Sequence, residues 1–207
     1  MPRPSRSRSR RPASLGEQLA RLRGQRSPLR GEAKLDAALH EFQVPIQGRV
    51  ALDAGAAAGG FTTVLLRRGA SRVYAVEAGF GQLLGSLRQD PRVVNLERTN
   101  LGDLDRRRVT DRVEVVSLDL SYLSLADAVP QLTTLDIAGG ADLIALVKPM
   151  FELHLPRPPA DEARLQDALG RAIAGMEAAG WRVAGSMPSP VTGQGGAHEF
   201  LVHGRRV

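Results

Sequence analysis

The stretch Leu52-Asp-Ala-Gly-Ala-Ala-Ala-Gly-Gly-Phe-Thr62 decides the fold of this 207-residue chain. An apolar run ends in Asp53, a turn with three glycines follows, and a helix is predicted to begin near Phe61. A strand, a tight turn and a helix N-terminus form the unit with which doubly wound α/β domains bind nucleotides. The alternative is an ordinary tight turn between a strand and a helix.

The spacing of the glycines narrows the class of ligand. Gly55, Gly59 and Gly60 give G-x-x-x-G-G, which differs from the G-x-G-x-x-G of dinucleotide-binding proteins, and no Gly-Lys-Ser/Thr follows as in a P-loop. The pattern is similar to the first motif of S-adenosylmethionine (SAM) methyltransferases. Because glycine has no Cβ, the backbone of such a turn can come close to a ligand. The turn therefore predicts a SAM pocket.

Composition and length exclude several classes of protein. The chain has no cysteine, and so neither a disulfide framework nor a thiolate metal site is expected. Its four histidines lack the spacing of metal-binding motifs, and we expect no metal. No apolar run approaches the ~18 residues of a membrane span, and no secretory leader is evident. We therefore expect a cytoplasmic α/β protein with no membrane partner.

The net charge of +6 is concentrated near the N-terminus. Residues 1–30 contain nine arginines and one acid, which gives +8, so that the remaining residues sum to −2. The low-complexity Arg/Ser/Pro composition predicts a disordered basic tail over residues 1–30, with one short helix at 15–23. Such a tail can bind RNA phosphates. A solubilising extension and an organelle transit peptide are the alternatives.

Lysine is almost absent from the chain. Of its 28 basic residues, only Lys34 and Lys148 are lysine, and arginine occupies every other basic position. A helix predicted at 33–42 places Lys34 in its first turn and off the apolar stripe, where a solvated surface lysine is the simpler interpretation. Lys148 directly follows an apolar run typical of a strand. Since the chain uses arginine almost everywhere a cation suffices, the two remaining lysines are candidates for a specific role.

Apolar runs predict strands that are separated by helices or loops. The predicted strands are 49–53, 72–77, 93–96, 113–118, 142–147, 181–186 and 197–203, and the predicted helices, besides 33–42, are 61–68, 80–89, 124–135 and 161–179.

Polar residues stand where these strands end. Glu77 ends the second strand, 22 residues after Gly55, where an acid commonly binds the ribose of a nucleotide. Residues 97–100 follow the third strand, while Asp119 and Lys148 follow the fourth and fifth. Ligands of open α/β sheets bind at the carboxyl ends of the strands. We therefore expect these residues to share one site, with ordinary polar strand ends as the alternative.

Seven motifs in order make the chain resemble the TlyA (hemolysin A) family of ribosomal RNA 2′-O-methyltransferases, which belongs with the FtsJ-like RNA methyltransferases. The motifs are RGEAKL, LDAGAAAGGFT, RVYAVEAGFGQL, LRQDPRVVNLERTNL, SLDLSYLSL, ALVKPMFE, and PSPVTG followed by HEFL. The resemblance implies an α/β, Rossmann-like SAM-dependent methyltransferase fold over residues 31–207. Such a fold has a seven-stranded, mostly parallel sheet with helices on both faces.

The resemblance also implies the site residues. The family's catalytic Lys-Asp-Lys-Glu group falls on Lys34, Asp119, Lys148 and Glu199, with Glu199 inside the last strand. Lys148 would accept or orient the proton of a ribose 2′-hydroxyl and would be held by Asp119 and Glu199, while Lys34 would help to position the hydroxyl. The expected cofactor contacts are Asp53, Gly55, Gly59, Gly60, Phe61, Thr62, Glu77, Thr99, Asn100 and Asp119.

The chain departs from the family pattern at several positions. The Arg-rich tail stands where the family usually carries an S4-like RNA-binding domain, Ala57-Ala58 replaces Ser-Thr, Glu77 replaces Asp, and LHLPRPPADEA replaces a glycine-rich segment. We predict a SAM-dependent 2′-O-methyltransferase that acts on structured RNA, in the first place ribosomal RNA. The alternatives are an RNA-binding or regulatory protein with weak or no catalysis, and a small-molecule methyltransferase.

Overall fold

Seven strands form a single sheet in the computed structural model, which describes residues 27–207. The strands are β1 (Val50–Ala54), β2 (Arg72–Glu77), β3 (Val93–Glu97), β4 (Val113–Leu118), β5 (Ile137–Val147), β6 (Trp181–Pro188) and β7 (Phe200–Arg206). Their order across the sheet is β3-β2-β1-β4-β5-β7-β6. The first five strands are parallel, and β7 runs antiparallel to both β5 and β6. The predicted seven-stranded, mostly parallel Rossmann-like sheet is therefore confirmed.

Helices cover both faces of the sheet. They are α1 (Arg30–Glu41), α2 (Gly60–Arg67), α3 (Gly85–Arg88), α4 (Leu125–Ala128), α5 (Pro149–Glu152) and α6 (Glu162–Ala178), with 3₁₀ turns at Leu101–Asp103, Val129–Thr134 and Gln194–Gly196. Buried residues of α1, α2 and α3 form one apolar core with the sheet, and those of α4 and α6 form the other. Strands buried on both faces read as continuous apolar runs, which is why they were recognisable in the sequence.

The strand order places two turns side by side. β2 and β3 lie on one side of β1, and β4 and β5 lie on the other. The strand order therefore reverses beside β1. The backbone N–H of Asp119, just after β4, donates to the carbonyl of Ala54 at the end of β1, at 2.9 Å. Ligands of open α/β sheets bind at such a reversal point.

Two predicted helices are shorter in the structure. The helix expected at 80–89 is confined to α3, because the backbone amides of Gln82 and Leu83 donate to Glu97 Oε1, at 3.0 and 3.4 Å, and not to a helical turn. The helix expected at 124–135 is one α-helical turn, α4, which tightens into a 3₁₀ segment at Val129. Pro130 follows at once and has no N–H with which to continue an α-helix.

Three further element starts differ from the predicted ones by three residues or more, and two of these differences concern a predicted catalytic residue. The final strand begins at Phe200, so that Glu199 precedes it and is not inside it. α1 begins at Arg30, since Glu32 Oε1 accepts the N–H of Leu29 at 2.9 Å and caps the helix, and Lys34 therefore lies beyond the first turn. β5 begins at Ile137, five residues before the predicted start. Its first part contains two glycines and an irregularity in its pairing with β4, so that it lacks the apolar pattern of a strand.

The predicted tail up to residue 26 and the predicted helix at 15–23 lie outside the described residues. Among residues 27–207, no helix is both long enough and apolar enough to cross a membrane.

Candidate active site

The glycine turn after β1 packs directly on the loop after β4. Gly55 has φ +86°, and a Cβ on it would collide with the backbone carbonyl of Asp119. A residue with a side chain would therefore meet both the strain of the left-handed region and this collision. Gly55 fixes the two neighbouring loops against one another at the reversal point of the sheet.

The next two glycines serve helix packing. Gly59 has φ +96°, and a Cβ on it would collide with the side chains of Leu83 and Leu87. A Cβ on Gly60 would lie 3.1 Å from the Cα of Gly31, where α1 meets α2. We expected glycine at both positions to let the backbone approach a ligand. Close contact with neighbouring protein atoms is a more immediate reason for glycine there.

Asp53 lies beneath the turn and is completely buried. Its carboxylate accepts hydrogen bonds from the hydroxyls of Thr62, at 2.6 Å, and Ser117, at 2.9 Å. Burial raises the pKa of Asp53 to about 6, although the two hydroxyls oppose that rise, and the negative charge of Asp119 adds to it. The hydrogen bond between Asp53 and Thr62 therefore connects β1 to the start of α2.

A cavity of about 250 Å³, here called the glycine-turn cavity, opens beside the turn. Its lining includes Gly55, Glu77, Thr99, Asp119 and Tyr122. Both carboxylate oxygens of Glu77 already accept backbone hydrogen bonds, Oε2 from the N–H of residue 57 at 3.0 Å and Oε1 from that of residue 79 at 2.8 Å. These bonds hold an acidic group at the end of β2 against the turn.

A second cavity of about 430 Å³, here called the lysine cavity, contains all four residues of the expected catalytic group in its lining. They form two ion pairs. Lys148 Nζ lies 2.6 Å from Asp119 Oδ1 and donates to Ser121 Oγ at 3.0 Å. Lys34 Nζ lies 2.5 Å from Glu199 Oε2, and both of these side chains are buried.

This pairing differs from the sequence-based expectation in one respect and excludes one of the two interpretations of Lys34. Lys148 is paired with Asp119 as expected, but its second partner is Ser121, and Glu199 pairs with Lys34. Lys34 is not a solvated surface lysine, since only 8% of its side chain is exposed. The contact between α1 and the segment before β7 explains the pairing and the burial of Lys34, because it brings Lys34 to a carboxylate 165 positions away in the chain.

The two cavities share a wall made by Gly55, Ala57, Asp119 and Ser121. An electrophile in the glycine-turn cavity and a hydroxyl in the lysine cavity would therefore lie next to the same four residues. The Lys148 amine, bonded to two members of the wall, is the group placed to exchange a proton with such a hydroxyl. Among residues 27–207, no cluster of three His, Cys, Asp or Glu side chains is arranged to hold a metal ion.

The remaining predicted cofactor residues are distributed over several places. Gly60 and Phe61 line a third groove of about 320 Å³ that also borders Gly55 and Asp119. Asn100 is exposed and its amide donates to Asp103 at 3.2 Å. The residues that line none of these three spaces are Asp53, Gly59, Thr62 and Asn100.

Two residues of the site carried no role in the sequence prediction. Ser121 bonds Lys148, and its position two residues after Asp119 is a signal, because alternate residues of an extended segment point to the same side. Tyr122 lines the glycine-turn cavity and is 46% exposed, which makes it one of the few large exposed apolar side chains among the described residues.

The chain matches a known protein family and several known proteins. The FtsJ-like methyltransferase family matches residues 28–206. The chain is 42% identical over 181 residues to the 16S/23S rRNA (cytidine-2′-O)-methyltransferase TlyA of Mycobacterium tuberculosis, and 32% identical over 184 residues to Hemolysin A of Brachyspira hyodysenteriae. These matches cover 84% of the chain and 66% and 75% of the two relatives, so the chain spans slightly less than two thirds of the first.

A solved hemolysin structure from Lactococcus lactis superposes with a TM-score of 0.82 at 34% identity, covering 86% of this chain and 88% of the other. The likeness therefore extends over most of both chains.

Proposed function

Because the chain belongs to the FtsJ-like methyltransferase family, we propose that it transfers a methyl group from SAM to the ribose 2′-hydroxyl of structured RNA, with ribosomal RNA as the substrate. The observation that carries the proposal is the wall shared by the two cavities, with Lys148, Asp119 and Ser121 joined at it. The name of the mycobacterial relative supports the choice of ribosomal RNA. Such a substrate would place the activity in the cytoplasm.

The residues of the glycine-turn cavity fit the cofactor. Gly55 lines the cavity without a side chain, and Glu77 offers a carboxylate at the position where acids bind ribose hydroxyls. Thr99 and Asp119 complete the polar lining. When bound, SAM supplies an electrophilic methyl group on a positively charged sulfur. We propose that Gly55, Glu77, Thr99 and Asp119 hold it.

Lys148 is the residue to which we assign the proton. Its amine accepts or orients the proton of the 2′-hydroxyl, so that the hydroxyl oxygen can act as the nucleophile. Asp119 and Ser121 fix the amine in place. Lys34 and Glu199, as a buried pair in the same cavity, provide a donor and an acceptor with which to position the ribose.

The division of the chain follows from this proposal. Residues 31–207 form the methyltransferase domain, and the arginine-rich residues 1–30 supply RNA affinity that does not depend on base sequence. The alternative, an RNA-binding protein without efficient catalysis, is less well supported, because all four residues of the family's catalytic group line one cavity.

The proposal is tested by incubating the protein with tritiated SAM and isolated small or large ribosomal subunits. We expect label in one or both ribosomal RNAs, at a ribose 2′-oxygen, found by alkaline hydrolysis and mapping of the resistant linkage. RNA that is bound but unlabelled would favour the non-catalytic alternative. Label on a base, or on a small molecule only, would contradict the assignment of the 2′-hydroxyl.

A further inference from the structure

Glu152 is a buried carboxyl with an unusual environment. It is 4% exposed and ends the short helix α5. Its Oε1 accepts the backbone N–H of Leu125 at 2.8 Å, while Oε2 is the one fully buried side-chain oxygen or nitrogen within residues 27–207 that has no hydrogen-bond partner. A buried polar group left in this state costs free energy. An apolar residue would avoid that cost, and so the carboxyl calls for an explanation.

Glu152 joins the same two segments that meet at Lys148. Segment 119–125 follows β4, and segment 148–152 follows β5. At one end Lys148 is bonded to Asp119 and Ser121, and at the other Glu152 is bonded to Leu125. The two segments are thus tied at both ends.

The chain between the two ties is short and internally bonded. The backbone N–H groups of Phe151 and Glu152 both donate to the carbonyl of Lys148, at 2.9 and 3.3 Å. A displacement of Glu152 therefore moves the backbone that carries the Lys148 amine. Misplacing a reacting group by about 1 Å can reduce a rate by roughly 10².

We propose that Glu152 is a positioning residue, which holds segment 148–152 against segment 119–125 and thereby sets the place of the Lys148 amine at the wall between the two cavities. The inference rests on the proposed methyl transfer. It adds a group that touches neither substrate nor cofactor, since Glu152 lines neither cavity.

The surroundings of Glu152 favour its neutral form. Burial raises its pKa to about 7, the hydrogen bond from the Leu125 amide opposes the rise, and the negative charge of Asp127 adds to it. Helix α6, which packs on α4 and α5, contributes apolar residues at its buried positions, namely Leu165, Ala168, Ala172 and Met176. A neutral acceptor of the same length should therefore replace the carboxyl.

The test compares two substitutions of nearly equal size. Glu152→Gln keeps a carbonyl oxygen that can accept the Leu125 N–H, whereas Glu152→Met removes the acceptor and keeps the volume. Ser124→Ala is the matched control, because it removes the hydroxyl that accepts the N–H of Asp127 at the start of α4 and leaves the bond of Glu152 intact. For each variant we would measure single-turnover methyl transfer, SAM affinity, and hydrogen exchange of segments 119–125 and 148–152.

Glu152→Met should lower the single-turnover rate at least about tenfold, while SAM affinity stays within about twofold. Glu152→Gln and Ser124→Ala should keep rates within about threefold of the parent. Exchange should accelerate in both segments in the Met variant and not in the Gln variant. If the Met variant fails to fold, Glu152→Ala provides the second variant without the acceptor.

A Met variant as fast as the parent, or a Gln variant as slow as the Met variant, would overturn the positioning role. If the parent transfers no methyl group at all, the proposed function fails instead. Hydrogen exchange then still tests whether Glu152 holds the two segments together, because unchanged exchange in both segments of the Met variant would show that it does not.

Discussion

The amine of Lys148 and the guanidinium of an arginine carry the same charge but differ in whether they can release a proton. We expect Lys148→Arg to reduce single-turnover transfer by at least about 10², the low end of what a general base contributes, and to leave SAM affinity nearly intact. Guanidinium stays protonated, and its planar fork directs its donors differently towards Asp119 and Ser121. Transfer to RNA under single-turnover conditions, with calorimetry for SAM, is the measurement.

The control for Lys148→Arg is the reverse exchange at an exposed position. Arg164→Lys, on the solvent side of α6 and paired with Asp161, should change neither quantity. If Lys148→Arg kept a rate within about threefold of the parent, Lys148 would act only as a charge, and the proton role assigned to it would be wrong.

The buried carboxyl of Glu152 should make stability depend on pH. Its folded pKa of about 7 lies above the ordinary 4.5, so its contribution to stability is fully present below about pH 4.5 and is lost as the pH rises through about 7. Glu152→Gln does not titrate. The unfolding free energy of the Gln variant relative to the parent should therefore improve between pH 5 and pH 8, by at most about 3 kcal/mol.

Urea denaturation of both proteins at the two pH values measures this change. Asp53, whose pKa is also raised, is present in both proteins, so its titration cancels in the comparison. An equal difference at both pH values would show that Glu152 keeps an ordinary pKa.

Among the elements, α1 matters most to the lysine cavity, because it carries Lys34 and crosses α2 at Gly31 and Gly60. Gly60→Ala would place a Cβ 3.1 Å from the Cα of Gly31 and 3.2 Å from the N of Glu32. Since these are backbone atoms, α1 must shift. We expect a loss of about 1–3 kcal/mol in unfolding free energy and looser pairing of Lys34 with Glu199, seen as faster hydrogen exchange in α1.

Gly170→Ala is the matched control for this substitution. Gly170 lies within α6, and a Cβ there would meet nothing within 4 Å. Replacing glycine by alanine inside a helix stabilises by roughly 0.5–1 kcal/mol, so this variant should unfold at a higher temperature. Equal effects of the two substitutions would mean that the crossing of α1 and α2 is not tight.

The elements also show how far the sequence alone could lead. β2 and β4 have the predicted bounds, and Glu77, Asp119 and Lys148 stand at strand ends as expected, because apolar runs and their polar ends are local properties. The helix at 80–89 was predicted too long, since the amides of its expected first turn bond to Glu97 on β3. The local pattern of apolar and polar residues does not indicate that a distant side chain competes for these backbone amides.

Two contacts of the candidate site were missed because they also depend on residues distant in the sequence. The motifs identified Lys34 and Glu199, but their pairing depends on how α1 packs beside β7, which no local spacing encodes. The role of Glu152 was missed because its partner is a backbone amide of another segment. Backbone donors leave no signature in a sequence.

At the scale of the whole molecule, charge is divided unequally between the N-terminal segment and the rest. Deleting residues 1–26 removes eight arginines and one acid. Because each phosphate contact contributes roughly 0.7–0.9 to the slope of log K against log salt, the deletion should flatten that slope for RNA binding. SAM affinity should not change. Titration of RNA at several salt concentrations measures the slope, and an identical slope would show that the segment makes no phosphate contacts.

Both lysines of the chain line the same cavity. Isotopic nitrogen supplied only at the Nζ of lysine would therefore label two side-chain amines, and both signals in that spectrum would come from the candidate site. Titration with S-adenosylhomocysteine or RNA could be followed there without mutation or an attached probe. A chain that uses arginine for its other side-chain cations thus contains its own spectroscopic reporter, placed where Asp119 and Glu199 meet the two amines.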